Sequence, residues 1–227
     1  MTVKLFVLGL PGSGKSTVAR EIEDYIGKKG VRLRRINDYI ILEQMFHDDA
    51  KCEQFRPAEN GGFDILDLTV FDTALKMLEK VTKQYILPAI PEGMILIEFA
   101  RNDYRKAFQQ FSNEFLQDSY FLYLDTWLEI CKQRIRNRIT NPNNPDDYNV
   151  SEYIFEAYYN KDNGKDLYDI LEGGYQIDKQ LVKIIDNNSS LGVVLQKIAP
   201  FIDAIIASEL ARRGTSAHPM KQFARIQ

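Results

Sequence analysis

The chain has 227 residues, enough for one sizeable core or one core with a small appended unit. Hydrophobic residues make up 44% and charged residues 27%, which excludes a disordered chain; the formal charge of −3 demands neither a nucleic acid nor a membrane, though it leaves room for a local basic groove. Two cysteines, Cys52 and Cys131, and two histidines, His47 and His218, follow no metal-ligand spacing.

The first apolar run, Val3–Leu8, is nearly continuous and suits a strand covered on both faces. Residues 8–17, LGLPGSGKST, then place three glycines and a proline within six positions before a lysine and two hydroxyls. Lys15–Lys28 carries Val18, Ile22, Tyr25 and Ile26 at helical spacing. Val31–Ile36 reads as a strand interrupted by three arginines. Asp64–Lys80, with Ile65, Leu68, Phe71, Leu75 and Leu78, reads as an amphipathic helix. Met94–Phe99 and Tyr120–Asp125 read as buried strands, and Val182–Asp186 as a fifth strand. Trp127–Ile139, Ser151–Tyr159 and Leu191–Arg213 read as helices, and Cys131 within the first of these reads as a buried free thiol. The Asn-, Pro- and Asp-rich stretch 139–150 reads as an exposed loop.

Strands alternating with helices predict an α/β fold, a five-stranded parallel sheet with helices on both faces. The reading is of a single domain over 1–213, with residues 214–227 as a mobile tail or a partner-binding arm. No apolar run approaches membrane-spanning length and the N-terminus lacks a charged-then-apolar leader, so a cytoplasmic protein is expected.

Gly9-x-x-x-x-Gly14-Lys15-Ser16 is a P-loop, placed between a strand and a helix as that motif requires. Glycines let backbone amides curl around phosphate oxygens, and the helix start adds unpaired donors and a positive dipole end. The phosphate cradle is therefore assigned to Gly9, Pro11, Gly12, Ser13, Gly14, Lys15, Ser16 and Thr17. Lys15 would bridge the β- and γ-phosphates, Ser16 would ligate Mg²⁺, and Thr17 would stand near the α-phosphate. The ligand predicted is ATP, or GTP, with Mg²⁺.

The N-terminal P-loop, five strand-like runs and an arginine-bearing helix after the fourth strand resemble the P-loop kinase group of nucleoside, nucleotide, polynucleotide and small-metabolite kinases. The resemblance implies a three-layer P-loop NTPase sandwich with a lid over 134–150 and a C-terminal helix. It implies that Asp38, in INDY, accepts the proton of an acceptor hydroxyl; capping of the next helix by Asn37 or Asp38 is the alternative. It implies that Glu98, in EFAR, holds an Mg²⁺-bound water and that Arg101 meets the acceptor phosphate or the developing charge. Families with a related carboxylate–arginine signature place the two residues adjacent, whereas here two residues intervene. Arg134 and Arg138 share a helix face where like charges repel unless an anion lies between them, and the resemblance gives them the base and the transferring phosphoryl group. Arg136 would face solvent. In IIDNNSSL, the turn backbone would meet the adenine, or Ser189 or Ser190 would cap the last helix.

Residues 39–90 are long for one crossover and read as the acceptor region. There, Phe55 and Arg56 form either a stacking pair for a base and phosphate or part of a surface loop. Tyr158 and Tyr159, adjacent on a helix, cannot share a face. The implied activity is transfer of the γ-phosphoryl group to a nucleoside, nucleotide or similar small metabolite. A polynucleotide 5′-hydroxyl kinase and a nucleotide-binding regulatory module remain the alternatives.

Overall fold

The computed structural model describes residues 2–58, 61–140 and 150–216, the side chains of 139, 140 and 212–216 excepted. Residues 141–149 of the predicted loop (139–150) and lid (134–150), and residues 217–227 of the tail, lie outside the described residues, while 134–140 continue a helix.

The chain begins with strand β1 (Thr2–Leu8), helix α1 (Lys15–Gly27), strand β2 (Leu33–Asn37) and helix α2 (Asp38–Asp48). A short hairpin follows, β3 (Phe55–Pro57) with β4 (Phe63–Ile65), then α3 (Val70–Val81), a π-helical segment Thr82–Ile86 and the single turn α4 (Leu87–Ala89). Next come β5 (Gly93–Phe99), the short helices α5 (Tyr104–Phe108) and α6 (Asn113–Leu116), β6 (Ser119–Asp125) and α7 (Leu128–Thr140). The rest comprises α8 (Glu152–Tyr158), α9 (Leu167–Tyr175), β7 (Val182–Asp186) and α10 (Leu191–Ser216).

Five parallel strands form the sheet in the order β2-β5-β1-β6-β7. Alternation along β1 divides its side chains between two cores. Leu5 and Val7 pack with Val18, Ile22 and Ile26 of α1 and with Val194, Ile198 and Ile202 of α10. Phe6 and Leu8 face the larger layer built from α2, α3 and α5 to α9. The aromatic centre of that layer is Phe6, stacked on Phe121 at 5.0 Å and meeting Phe99, Phe108, Phe111 and Phe115 edge-on.

Two sequence readings change. The helix predicted over Asp64–Lys80 begins only at Val70, because Phe63–Ile65 pairs with Phe55–Pro57 as a hairpin. Asp67 then accepts from the Thr69 amide at 2.9 Å, holding a turn ahead of the helix. The arginines of β2 are tolerated because β2 is an edge strand: Arg34 is exposed and Arg35 reaches back to Glu98. Finally, α10 is by length and composition apolar enough to cross a membrane, with a mean hydropathy of 1.6 over Leu191–Ala211, contrary to the sequence reading. It is nonetheless seated on the sheet through Val194, Ile198, Ile202 and Ile205. As expected, Cys131 is buried and free.

Phe6→Ala should cost about 3–5 kcal/mol, the range for deleting a fully buried phenyl ring. Urea unfolding checks this; the midpoint should fall with an unchanged slope.

Candidate active site at the phosphate loop

The loop after β1 leaves the sheet centre, where the carboxyl ends of parallel strands border the ligand crevice of such folds. Two glycines shape it. Gly12 has φ +78° and lies so close to α7 that a Cβ would stand 2.4 Å from the Cys131 carbonyl oxygen. Gly14, at φ +94°, is the left-handed residue from which α1 starts. The loop is braced from outside. The Gly9 amide donates to Tyr104 Oη at 2.8 Å, and the Ser13 amide donates to the Leu10 carbonyl at 3.0 Å. Asn187 Nδ2 and Thr126 Oγ1 both donate to the Ser13 carbonyl. Pro11 has no N–H. The donors left to face a ligand are therefore the amides of Gly12 and of Gly14 through Thr17.

Lys15 is half-buried, and its amine donates to the carbonyls of Gly9 and Leu10 at 2.9 Å each. Burial pushes its pKa down to about 8, against the pull of Glu98 and Asp38. Glu98, at the end of β5, is buried. Desolvation raises its pKa, opposed by Arg35, Lys15 and a hydrogen bond from Ser16. Arg35 Nε and Nη2 both approach Glu98 Oε1 at 3.0 Å. The hydroxyl of Ser16 and the carboxylate of Glu98 thus stand together beside the lysine, a hard oxygen pair that fits Mg²⁺.

Asp38 opens α2 at the end of β2 and is buried. The capping alternative is settled in favour of Asn37, whose Oδ1 accepts from the Ile40 amide at 3.1 Å. Asp38 pairs instead with Arg101, whose guanidinium also donates to the carbonyls of Ala100 at 2.5 Å and Phe71 at 2.7 Å. Arg101 is 1% exposed, and the Phe71 ring lies over it at 4.8 Å. Nη1 and Nη2 are thus engaged with the protein, while Nε is buried with no hydrogen-bond partner among the described residues; Arg101 holds Asp38 from behind and does not line the cleft that contains the phosphate loop.

That cleft encloses about 840 Å³, its open mouth included. Gly12, Gly14, Lys15 and Ser16 line it together with Asp38 and Glu98. Tyr39, Phe63, Ile65, Ile154 and Tyr159 supply apolar and aromatic lining of the same cleft.

No protein-family model matches the chain, and no curated protein matches it. Among solved structures it is similar to Kti12 from Chaetomium thermophilum in complex with ADP-AlF3, at 17% identity, with 89% of this chain and 98% of that chain covered and a TM-score of 0.55. It is also similar to a sugar kinase from Janibacter sp. (14% identity, 90% and 98% covered, TM-score 0.49) and to a gluconokinase from Sinorhizobium meliloti (12%, 95% and 98%, 0.48). The likeness to Kti12 shows the fold, an α/β sandwich around a five-stranded parallel sheet.

Within this fold, α7 follows β6 and presents two of its arginines to the loop and the cleft. Arg134 Nη1 donates to the Gly12 carbonyl at 3.4 Å, and Arg138 lines the cleft. Arg136 turns outward to Glu152, as predicted. Thr17 Oγ1 accepts from Arg20 at 3.4 Å. Phe55 is buried, whereas Arg56 binds Asp64 at 2.9 Å and lies over Tyr153 at 5.0 Å, so the two form no joint platform. Tyr159 is buried and lines the cleft, while Tyr158 stacks on Phe71 at 4.3 Å. Sequence reading missed Tyr104, Asn187 and Asn188; the last accepts from the Trp127 amide at 2.7 Å. The Asn pair in IIDNNSSL was the available signal, since a short amide side chain suits bracing a turn.

Arg101→Met should destabilise the protein by about 3–5 kcal/mol, because it leaves the Asp38 carboxylate buried and unpaired. Adding Asp38→Asn should recover a large part of that loss. A double-mutant cycle by denaturant unfolding measures the coupling.

Proposed function

We propose that the protein is a phosphotransferase that moves the γ-phosphoryl group of ATP to a hydroxyl of a small metabolite such as a nucleoside. The observation that carries this reading is Asp38: a carboxylate fixed by Arg101 on the wall of a cleft continuous with the phosphate loop. A domain that only bound or hydrolysed nucleotide would need no acceptor compartment beyond the γ-phosphate.

The amides of Gly12 and Gly14 through Thr17 would hold the phosphates, with Lys15 leaving its carbonyl partners to meet the β- and γ-phosphate oxygens. Mg²⁺, held by Ser16 Oγ and by Glu98 through water, would neutralise phosphate charge. Arg134 and Arg138 would add positive charge on the α7 side. Asp38 would orient the acceptor hydroxyl and take its proton. GTP would fit the same loop, whose amides read phosphates and not the base. The ADP-AlF3 bound by Kti12 supports nucleotide binding here by analogy of fold.

ATP consumption with and without pooled nucleosides, nucleotides and RNA ends tests the reading. Stimulation by a small acceptor supports it, and stimulation by RNA ends alone or by nothing overturns it. Lys15→Ala should abolish transfer and leave the unfolding midpoint near that of the parent. Asp38→Asn should lower kcat by about 100-fold or more with ATP affinity unchanged; equal loss of both would make Asp38 structural. Nucleotide binding should also depend on pH. An anion favours charged Lys15, which loses its proton near pH 8 in the free protein, so ATP affinity should fall as pH rises through 8, by up to about tenfold per unit. Calorimetry in buffers of different ionisation enthalpy should show proton uptake that Lys15→Met removes.

A further inference from the structure

We infer that the phosphoryl acceptor is an uncharged, ring-bearing alcohol, such as an unphosphorylated nucleoside, and not a phosphate ester, nucleotide or carboxylic acid. The inference rests on the phosphotransferase reading and concerns the cleft lining that lies outside the phosphate loop in sequence.

Charge decides it. Among the described residues lining the cleft, the cations are Lys15 and Arg138. Lys15 sits in the loop itself, and Arg138 follows Arg134, which reaches the Gly12 carbonyl, one helical turn along α7; in the phosphotransferase reading both serve the triphosphate. The two carboxylates on the wall, Asp38 and Glu98, are already compensated by Arg101 and Arg35, so the wall offers a second anion no net positive charge. Arg101, assigned from sequence to an acceptor phosphate, is sealed behind Asp38 by the Phe71 ring and two backbone carbonyls. Arg35 is engaged with Glu98, and Arg56 with Asp64 outside the cleft. An acceptor phosphate would therefore lose its water with no further cation among the described lining residues in return, a cost that favours a neutral acceptor.

The apolar lining has the opposite preference. Phe63 of β4 stacks on Tyr39 of α2 at 5.3 Å and on Phe46 at 5.2 Å, and lines the cleft with Tyr39, Ile65, Ile154 and Tyr159. A neutral ring gains buried apolar area against such a lining. Asp38 is the carboxylate beside these rings, so one hydroxyl of the guest is chosen by that contact.

The reaction balances without a further reactant. The acceptor oxygen bonds to the γ-phosphorus as the bond from phosphorus to the β–γ bridging oxygen breaks. ADP leaves with that electron pair, and the hydroxyl proton passes to Asp38 and then to water. The phosphomonoester product is now an anion beside Asp38, and its repulsion aids release.

The test compares nucleosides with their own 5′-monophosphates as acceptors of labelled phosphate from ATP, with calorimetric ATP binding measured in parallel. Expected is a kcat/KM at least about tenfold higher for the neutral member of each pair. Phe63→Leu should raise the acceptor KM about tenfold with the KM for ATP unchanged. ATP binding with preference for the charged member, with transfer to none of the neutral alcohols, or with an acceptor KM unmoved by Phe63→Leu overturns this inference. Transfer to the charged member would leave the phosphotransferase reading standing. Absence of ATP binding overturns both.

Discussion

The site depends on one constraint: β1 lies at the centre of a parallel sheet, between β5 and β6, so three buried strands end side by side. Parallel strands point the same way, and whatever follows each is delivered to one edge. The phosphate loop follows β1, Glu98 precedes the end of β5, and α7 follows β6. Asn37 and Asp38 arrive beside them because β2 pairs with β5, Asn37 opposite Glu98 in the register. No long-range recognition between loops is needed to gather these residues. The hydrophobic alternation that sets the strand register also sets the chemistry.

Burying charge is the second theme. Lys15, Glu98, Asp38 and Arg101 are removed from water to differing degrees, and each has partners that offset part of that cost. A hydrophobic pair in place of Asp38 and Arg101 would in many proteins be as stable or more so. Retention of a carboxylate on the cleft wall, with the guanidinium hidden behind it, is the arrangement expected where an acceptor must be deprotonated and not merely held. Glu98 differs: its pKa is raised by desolvation despite Arg35, and a divalent cation would return the charge balance toward the ionised form.

Much of this was legible in the residues. Continuous apolar runs such as Val3–Leu8 and Met94–Phe99 announce strands buried on both faces, and LGLPGSGKST specifies a loop that only glycine permits. Less was visible where structure is made by contacts distant in the chain. The hairpin of β3 and β4 spans only a few residues per strand, too short for a period of two to show. Arg101 looked like a ligand-binding arginine because its position after a strand is right, but sequence does not reveal that Phe71 will cover it. Tyr104 and Asn187 act through single hydrogen bonds to loop backbone, and such bonds leave no periodic trace.

The closeness of Gly12 to Cys131 has one more consequence. Their contact fixes the azimuth of α7 as well as its distance, because a carbonyl oxygen is met at one point on the helix circumference. Positions three and seven residues onward return to nearly the same bearing. Arg134 and Arg138 are thus placed by the same atom that forbids a side chain in the loop, and any volume added at residue 12 would push α7 and shift both guanidinium groups relative to the loop and cleft.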